Sequence, residues 1–209
     1  MTIQDFSKKI KWLGHDGFRI DAKKTIYFDP YEISGGPKAD LICISHEHFD
    51  HCSPGDIAKI QGPGTVIVTE GDSAKKLTGD VKVLSPGENL TLDEITVQAV
   101  PSYNTDKAFH PRENKWLGFV VDVEGVKIYH AGDCDFIPEM KDLDVDIAFL
   151  PVSGTYVMTS EQAVEAALAI NPTLAIPMHY GAIVGDEKDA VQFKKALEGK
   201  VEVVVLQKE

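Results

Sequence analysis

The segment His-Glu-His-Phe-Asp-His at residues 46–51, set directly after the apolar run LICIS, constrains this chain more than any other stretch. In an extended or turning segment residues i and i+2 share a face, so His46 and His48 can point together at one ion. Asp50 and His51 lie beyond the turn and can reach a second ion nearby. Imidazole and carboxylate donors suit zinc, manganese or iron better than magnesium or calcium, which favour all-oxygen surroundings. Without a metal, four ionisable groups at this density repel one another as they gain protons. A fold is needed that ends a buried strand in a cluster of metal donors.

Two later segments have the same design. VKIYHAGD places Asp133 just after a strand and a glycine, where a carboxylate can bridge two cations about 3.5–4 Å apart. LAIPMHYG places His179 at the end of another strand. Short β-branched runs bounded by Gly, Pro and Asp (KIKWLG, FRIDA, TIYFDP, TVIVTE, VKVLSP, NLTLDEITVQAVP, WLGFVVDVEG) predict a strand-rich first part, with a hairpin at Glu124-Gly125. Ser53-Pro54 opens a short helix to about Ile60, and residues 72–78 read as another. The second half alternates strand and helix: DIAFLPVSG, a helix opened by the capping box at Thr159 and closed by Asn171-Pro172, LAIPMHYG, a helix over 187–198, and a terminal strand VEVVVLQ. This order predicts one domain over residues 1–209, with two mixed sheets packed together and helices outside.

Composition narrows the function classes. The chain has 209 residues, 43% of them hydrophobic, and a formal charge of −12. Such acidity disfavours a nucleic-acid partner, while leaving small substrates open, anionic ones included. No apolar run is long enough to span a membrane, and the N-terminus lacks an apolar signal core, so a cytoplasmic location is expected. Cys43, Cys52 and Cys134 form no even set, which argues against a disulfide framework. A homo-oligomer stays open.

HEHFDH, then AGD, then PMHYG, following the opening WLGHDGFRI…FDP, resembles the metallo-β-lactamase-fold hydrolase superfamily over the whole chain. The sequence is most similar to the compact stand-alone branch that includes L-ascorbate-6-phosphate lactonase-like hydrolases. The resemblance implies a four-layer αββα sandwich with a site for two divalent ions along one edge, zinc being expected first and manganese or iron remaining open. It assigns His46 and His48 to one ion, Asp50, His51 and His179 to the other, and Asp133 as the bridge. The implied activity is hydrolysis of a small ester, lactone or phosphodiester by water activated between the ions. One departure stands out. Where the superfamily usually supplies a His as third ligand of the first ion, this chain has Tyr103, in Pro101-Ser102-Tyr103. His110, seven residues on, is the expected replacement; otherwise the first ion is three-coordinate from protein and more weakly held.

Other residues take secondary roles. His15, His110 or Tyr103 is expected to stabilise the developing oxyanion or protonate the leaving group, with Asp50 and Asp133 as the catalytic carboxylates. Tyr103 and Tyr156 are candidate substrate contacts. Asp29 can orient a ligand histidine through its second nitrogen. His130, Cys52 and Cys134 read as structural. Two rival readings remain: a mononuclear-iron oxidoreductase similar to sulfur dioxygenases, and a non-catalytic metal-binding protein.

Overall fold

The computed structural model describes all 209 residues. Its elements, in chain order, are α1 (Ile3–Ser7), β1 (Ile10–Gly14), β2 (Gly17–Asp21), β3 (Thr25–Phe28), β4 (Leu41–Cys43), α2 (Pro54–Ile60), β5 (Val66–Thr69), α3 (Gly71–Ala74), β6 (Asp80–Val83), β7 (Asn89–Leu92) and β8 (Ile95–Pro101). There follow β9 (Leu117–Val123), β10 (Val126–His130), β11 (Ile147–Pro151), α4 (Ser160–Ile170), β12 (Leu174–Met178), α5 (Glu187–Ala196) and β13 (Glu202–Val203). One sheet runs β1-β2-β3-β4-β5-β6 and the other β13-β12-β11-β10-β9-β8-β7. Each begins as an antiparallel meander and finishes as parallel strands, so both sheets are mixed.

Period-two alternation decides the layering. Ile26 and Phe28 on β3 and Leu41 and Cys43 on β4 face the main core between the sheets. Tyr27 and Ile42 face the other way and pack with Ile57 and Ile60 of α2. The two sheets meet through rings, Phe18 stacking on Phe149 at 4.1 Å between centroids. On the outer face of the second sheet α4 packs against β11 and α5 against β12. The result is the αββα sandwich. No helix is long and apolar enough to cross a membrane.

Local chemistry explains most element ends. Ser53 caps α2, and Thr159 with Gln162 forms the capping box of α4, which Asn171 ends in a left-handed conformation at φ 54°. Glu124 and Gly125 turn the β9–β10 hairpin with φ 55° and 75°. Two expectations are corrected, and one element is added. The helix expected over 72–78 is only Gly71–Ala74, because its cap Glu70 engages the amides of Asp72 and Ser73 and β6 starts again at Asp80. The terminal strand shortens to Glu202–Val203, since the chain then leaves β12 and Lys208 bridges to Trp12 in the other sheet. The first turn α1 was hidden in a polar N-terminus; Thr2 caps it and Phe6 buries it.

The loops at one edge carry the polar residues of interest. They leave β1, β3, β4, β8, β10 and β12 at their carboxyl ends, where parallel strands regularly present ligand sites.

Candidate metal centre

The HEHFDH loop turns tightly after β4, with the amides of His51 and Cys52 both donating to the His48 carbonyl at 3.1 and 2.8 Å. This brings His46 Nε2 within 2.9 Å of His48 Nδ1. His110 arrives from the long loop after β8, which Asn104 pins: the Asn104 amide donates to the His110 carbonyl, and the His110 amide to Asn104 Oδ1. His46, His48 and His110 thereby place one ligand atom each within 4.8 Å of one another. Trp116 packs against these rings at 4.7, 4.8 and 5.5 Å.

A second group forms beside the first. His15, His51 and His179 gather within the same 4.8 Å limit, as do Asp16, His51, Asp133 and His179. Asp133 is the hub. Its Oδ2 lies 3.2 Å from both His110 Nε2 and His179 Nε2, and its Oδ1 lies 3.4 Å from His51 Nε2. Gly132 makes this approach feasible: at φ 61° a Cβ there would meet the Leu117 carbonyl at 2.8 Å. Asp50 Oδ2 stands 3.1 Å from His15 Nε2 and 3.8 Å from His51 Nε2.

The rear nitrogens of the rings are tied down, so the forward ones are aimed. His51 Nδ1 donates to Asp29 Oδ2 at 2.8 Å, and His110 Nδ1 to Asn104 Oδ1 at 2.9 Å. His179 Nδ1 donates to Ser153 Oγ at 2.9 Å. His46 Nδ1 donates to Ser45 Oγ, whose own proton goes to Asp29 Oδ2 at 2.6 Å. Each tether puts the proton on Nδ1 and leaves a lone pair on Nε2. His51 Nε2, His110 Nε2 and Asp133 Oδ1 are buried without any hydrogen-bond partner. Buried polar atoms are rarely left so, and a cluster of orphaned lone pairs facing one another fits cations.

Electrostatics agree with that fit. Burial, reinforced by nearby His51, holds the His46 imidazole well below its usual range, and burial lowers His48 also, keeping both rings in the neutral ligand form. Burial alone would raise Asp133, but the surrounding His179, His51 and His110 outweigh it and keep the carboxylate ionised. Asp50 follows the same pattern, its hydrogen bond from His15 overcoming the cost of burial.

The structure distributes the sequence-predicted residues unevenly. His46, His48, Asp50, His51, His110, Asp133 and His179 converge on one place. His15 is buried, its Nε2 holds Asp50, and its ring belongs to the group formed with His51 and His179. Tyr103 is a correction: it lies in the main core, its hydroxyl donates to Glu139 at 3.0 Å, and Arg112 covers its ring. It therefore has neither the position for an oxyanion nor for a substrate. Tyr156 is exposed at the rim, and its carbonyl accepts from Asn104 Nδ2 and His110 Nδ1. His130 uses both ring nitrogens structurally, on the Asp16 carbonyl and the Gly132 amide. Sequence reasoning missed Asp16, which is fully buried beside His51 with both oxygens unpartnered, and the tethers Ser45, Asn104 and Ser153. Only the adjacency of Asp16 to His15 signalled it.

Fold and donor cluster together define a metal-dependent hydrolase. Residues 9–179 match the beta-lactamase superfamily domain, and the chain belongs to that family. It is 35% identical to a UPF0173 metal-dependent hydrolase of Thermoplasma acidophilum, over 95% of this chain and 94% of the relative. A UPF0173 metal-dependent hydrolase of Thermococcus kodakarensis is 32% identical, with 95% and 96% covered. Among solved structures, a metal-dependent hydrolase from Parabacteroides distasonis superposes with a TM-score of 0.84 at 36% identity, covering 95% of this chain and 93% of that one.

Proposed function

We propose that this protein hydrolyses a small ester, lactone or phosphodiester at a centre for two divalent ions, zinc being the first choice for this donor set and manganese or iron the next. His46, His48 and His110 would hold one ion; Asp50, His51 and His179 would hold the other; Asp133 would be shared. One observation carries the reading: the Asp133 carboxylate reaches imidazoles of both groups, with Oδ2 at 3.2 Å from His110 and His179 and Oδ1 at 3.4 Å from His51. When bound, the ions supply a water acidified toward neutrality and a positive field at the oxygen of the scissile carbonyl or phosphoryl group.

The side chains supply the rest. Asp29 and Asn104 hold His51 and His110 with their lone pairs forward. His15 donates to Asp50 Oδ2 and fixes that carboxylate. Asp50 and Asp133, both ionised, would orient an attacking water by accepting its hydrogen bonds. Phe49, Phe109 and Tyr156 are exposed next to the donor loops. The three cysteines are buried and unpaired, which suits the reducing cytoplasm expected from the sequence.

Metal analysis of the purified protein and a panel of esters, lactones and phosphodiesters test this reading. Two ions per chain are expected, with turnover lost on chelation and restored by zinc or manganese. His110→Ala is expected to keep one ion tightly and release the other. Turnover that survives complete chelation, or a His110→Ala protein that retains both ions, refutes it.

A further inference from the structure

Of the 9 Phe, 6 Tyr and 2 Trp in the chain, only three side chains are exposed: Phe49 at 66%, Phe109 at 55% and Tyr156 at 37%. All three stand beside the donor cluster. Phe49 lies between His48 and Asp50, and its ring meets Tyr31 at 5.8 Å between centroids; Tyr31 in turn lies 6.5 Å from the His15 ring. Phe109 precedes His110 and meets Tyr156 edge-on at 4.5 Å. One aromatic pair therefore flanks the His15, His51 and His179 group, and the other flanks the His46, His48 and His110 group. An exposed ring costs hydration free energy unless something covers it, and here the exposure is concentrated at the centre.

Charge at the same rim points the same way. The loops carrying the donors (residues 44–53, 102–116, 131–137, 152–159 and 179–186) hold seven acidic residues, and their cations are Lys107, Arg112 and Lys115. Lys107 is consumed by Asp106 and Asp135 at 2.6 Å each, and Arg112 by Glu139 at 2.9 Å. Two divalent ions would bring these loops only to neutrality. Lys115 is exposed without a carboxylate partner, and a single solvated lysine does not make a phosphate pocket.

We propose that the substrate is an uncharged ester or lactone bearing a flat apolar or aromatic group, which packs against Phe49 and Tyr31 or against Phe109 and Tyr156 while its carbonyl reaches the centre. This rests on the hydrolase reading and narrows it, setting aside phosphorylated and other anionic substrates. An aromatic contact of this kind is worth about a two- to tenfold change in affinity per ring.

The test separates ring recognition from turnover. Binding of acetohydroxamate and benzohydroxamate to the zinc-loaded protein, measured by calorimetry, compares one metal-binding head with and without a ring. Benzohydroxamate is expected to bind about tenfold or more tightly, and a para-carboxylate on its ring is expected to lose most of that gain. Phe49→Ala/Phe109→Ala should bring the two hydroxamates to within about threefold, with zinc content and acetohydroxamate affinity unchanged. Equal binding of both hydroxamates, tighter binding of the carboxylated probe, or an unchanged ratio in the variant overturns the proposal. So does a variant whose only change is dissociation of an oligomer in sedimentation, which makes the aromatic rim a contact between copies. Protein that shows the ring preference yet hydrolyses no ester, lactone or phosphodiester counts against the hydrolase reading alone.

Discussion

Asp29→Asn isolates the device that aims the donors. Three donors converge on this buried carboxylate: the Ser45 amide on Oδ1 at 2.8 Å, and Ser45 Oγ and His51 Nδ1 on Oδ2 at 2.6 and 2.8 Å. Its backbone sits at φ 37°, which asparagine tolerates, so the substitution changes one atom and not the turn. An amide can occupy the site in two ways. With its oxygen toward the Ser45 amide, its NH2 faces His51 Nδ1, so the imidazole must move its proton to Nε2, the atom that would bind metal. Ser45 Oγ also loses its acceptor, which loosens the tether on His46. With the amide reversed, two N–H groups face each other in a buried space, at a cost of about 1–3 kcal/mol. The first outcome weakens metal binding about 10- to 100-fold, or about 1.4–2.7 kcal/mol, and the second appears as lost stability. Competition against a chromophoric zinc chelator, fitted to two sites, reads the first; urea unfolding of the metal-free protein reads the second. Ser45→Ala serves as the comparison, because it removes the His46 tether while Asp29 still holds His51. An Asp29→Asn protein that binds both ions within twofold of the parent, at unchanged stability, refutes the tautomer argument.

Other perturbations read different parts of the molecule. Gly132→Ala combines a left-handed backbone at φ 61° with a Cβ 2.8 Å from the Leu117 carbonyl, so it should cost about 2–4 kcal/mol in urea unfolding; a loss below about 1 kcal/mol would mean the β10 loop yields easily. Tyr103→Phe loses a hydrogen bond to Glu139 and nothing at the centre, so about 1 kcal/mol of stability should go while kcat/KM stays within twofold; a larger fall would return Tyr103 to the site. For the metal-free protein, burial depresses His46 and His130, so below the unfolded value of about 6.5 the unfolded chain takes up protons that these rings refuse. Stability that is complete above pH 6.5 is therefore lost as pH falls toward 5. Burial lowers His15 and His48 in the same sense as His46 and His130; Asp16, raised by burial, opposes these four rings, and His51 joins it from about pH 6.5 upward, where the unfolded imidazole gives up its proton. Burial would lower His51, but Asp133 and Asp29 raise it, so its contribution fades only as pH rises above 6.5. Urea midpoints between pH 7 and 5 check the sign, and a flat or rising profile contradicts it.

How much of the molecule was legible depends on whether its cause is local. HEHFDH declares itself because four donor residues fall within six positions on a single turn, and a turn brings sequence neighbours together. The buried strands were legible for a similar reason, since the alternation that sends Phe28 to one core and Tyr27 to the other is written in consecutive residues. Ser45, Ser153 and Asn104 carry no such mark. Each is an ordinary polar residue after a strand, and its task is fixed only when a histidine from elsewhere, 26 positions away for Ser153 and His179, comes to rest against it. Asp16 shows the same limit more sharply. Its environment is made by His51, Asp133 and His179, which reach it from two sheets, so one acidic residue in a tight turn gave no measure of its burial.

Tyr103 and His110 carry this one step further. A strand end that lacks its histidine reads in sequence as a centre short of a ligand. In space the Asn104 side chain grips both the amide and the ring of His110, folding the loop back so that a residue seven positions later stands with His46 and His48. The released Tyr103 is then free to anchor the loop outside the centre, through Glu139 and Arg112. Loop and donor are thus one unit. Asn104→Ala should consequently act on metal content as His110→Ala does, though less completely, because it leaves the imidazole present and the Tyr156 carbonyl still able to accept from Nδ1. Zinc retained per chain after dialysis measures this. An Asn104→Ala protein as metal-poor as His110→Ala would mean that the loop conformation matters more than the imidazole itself, and one as metal-rich as the parent would detach His110 from the loop that carries it.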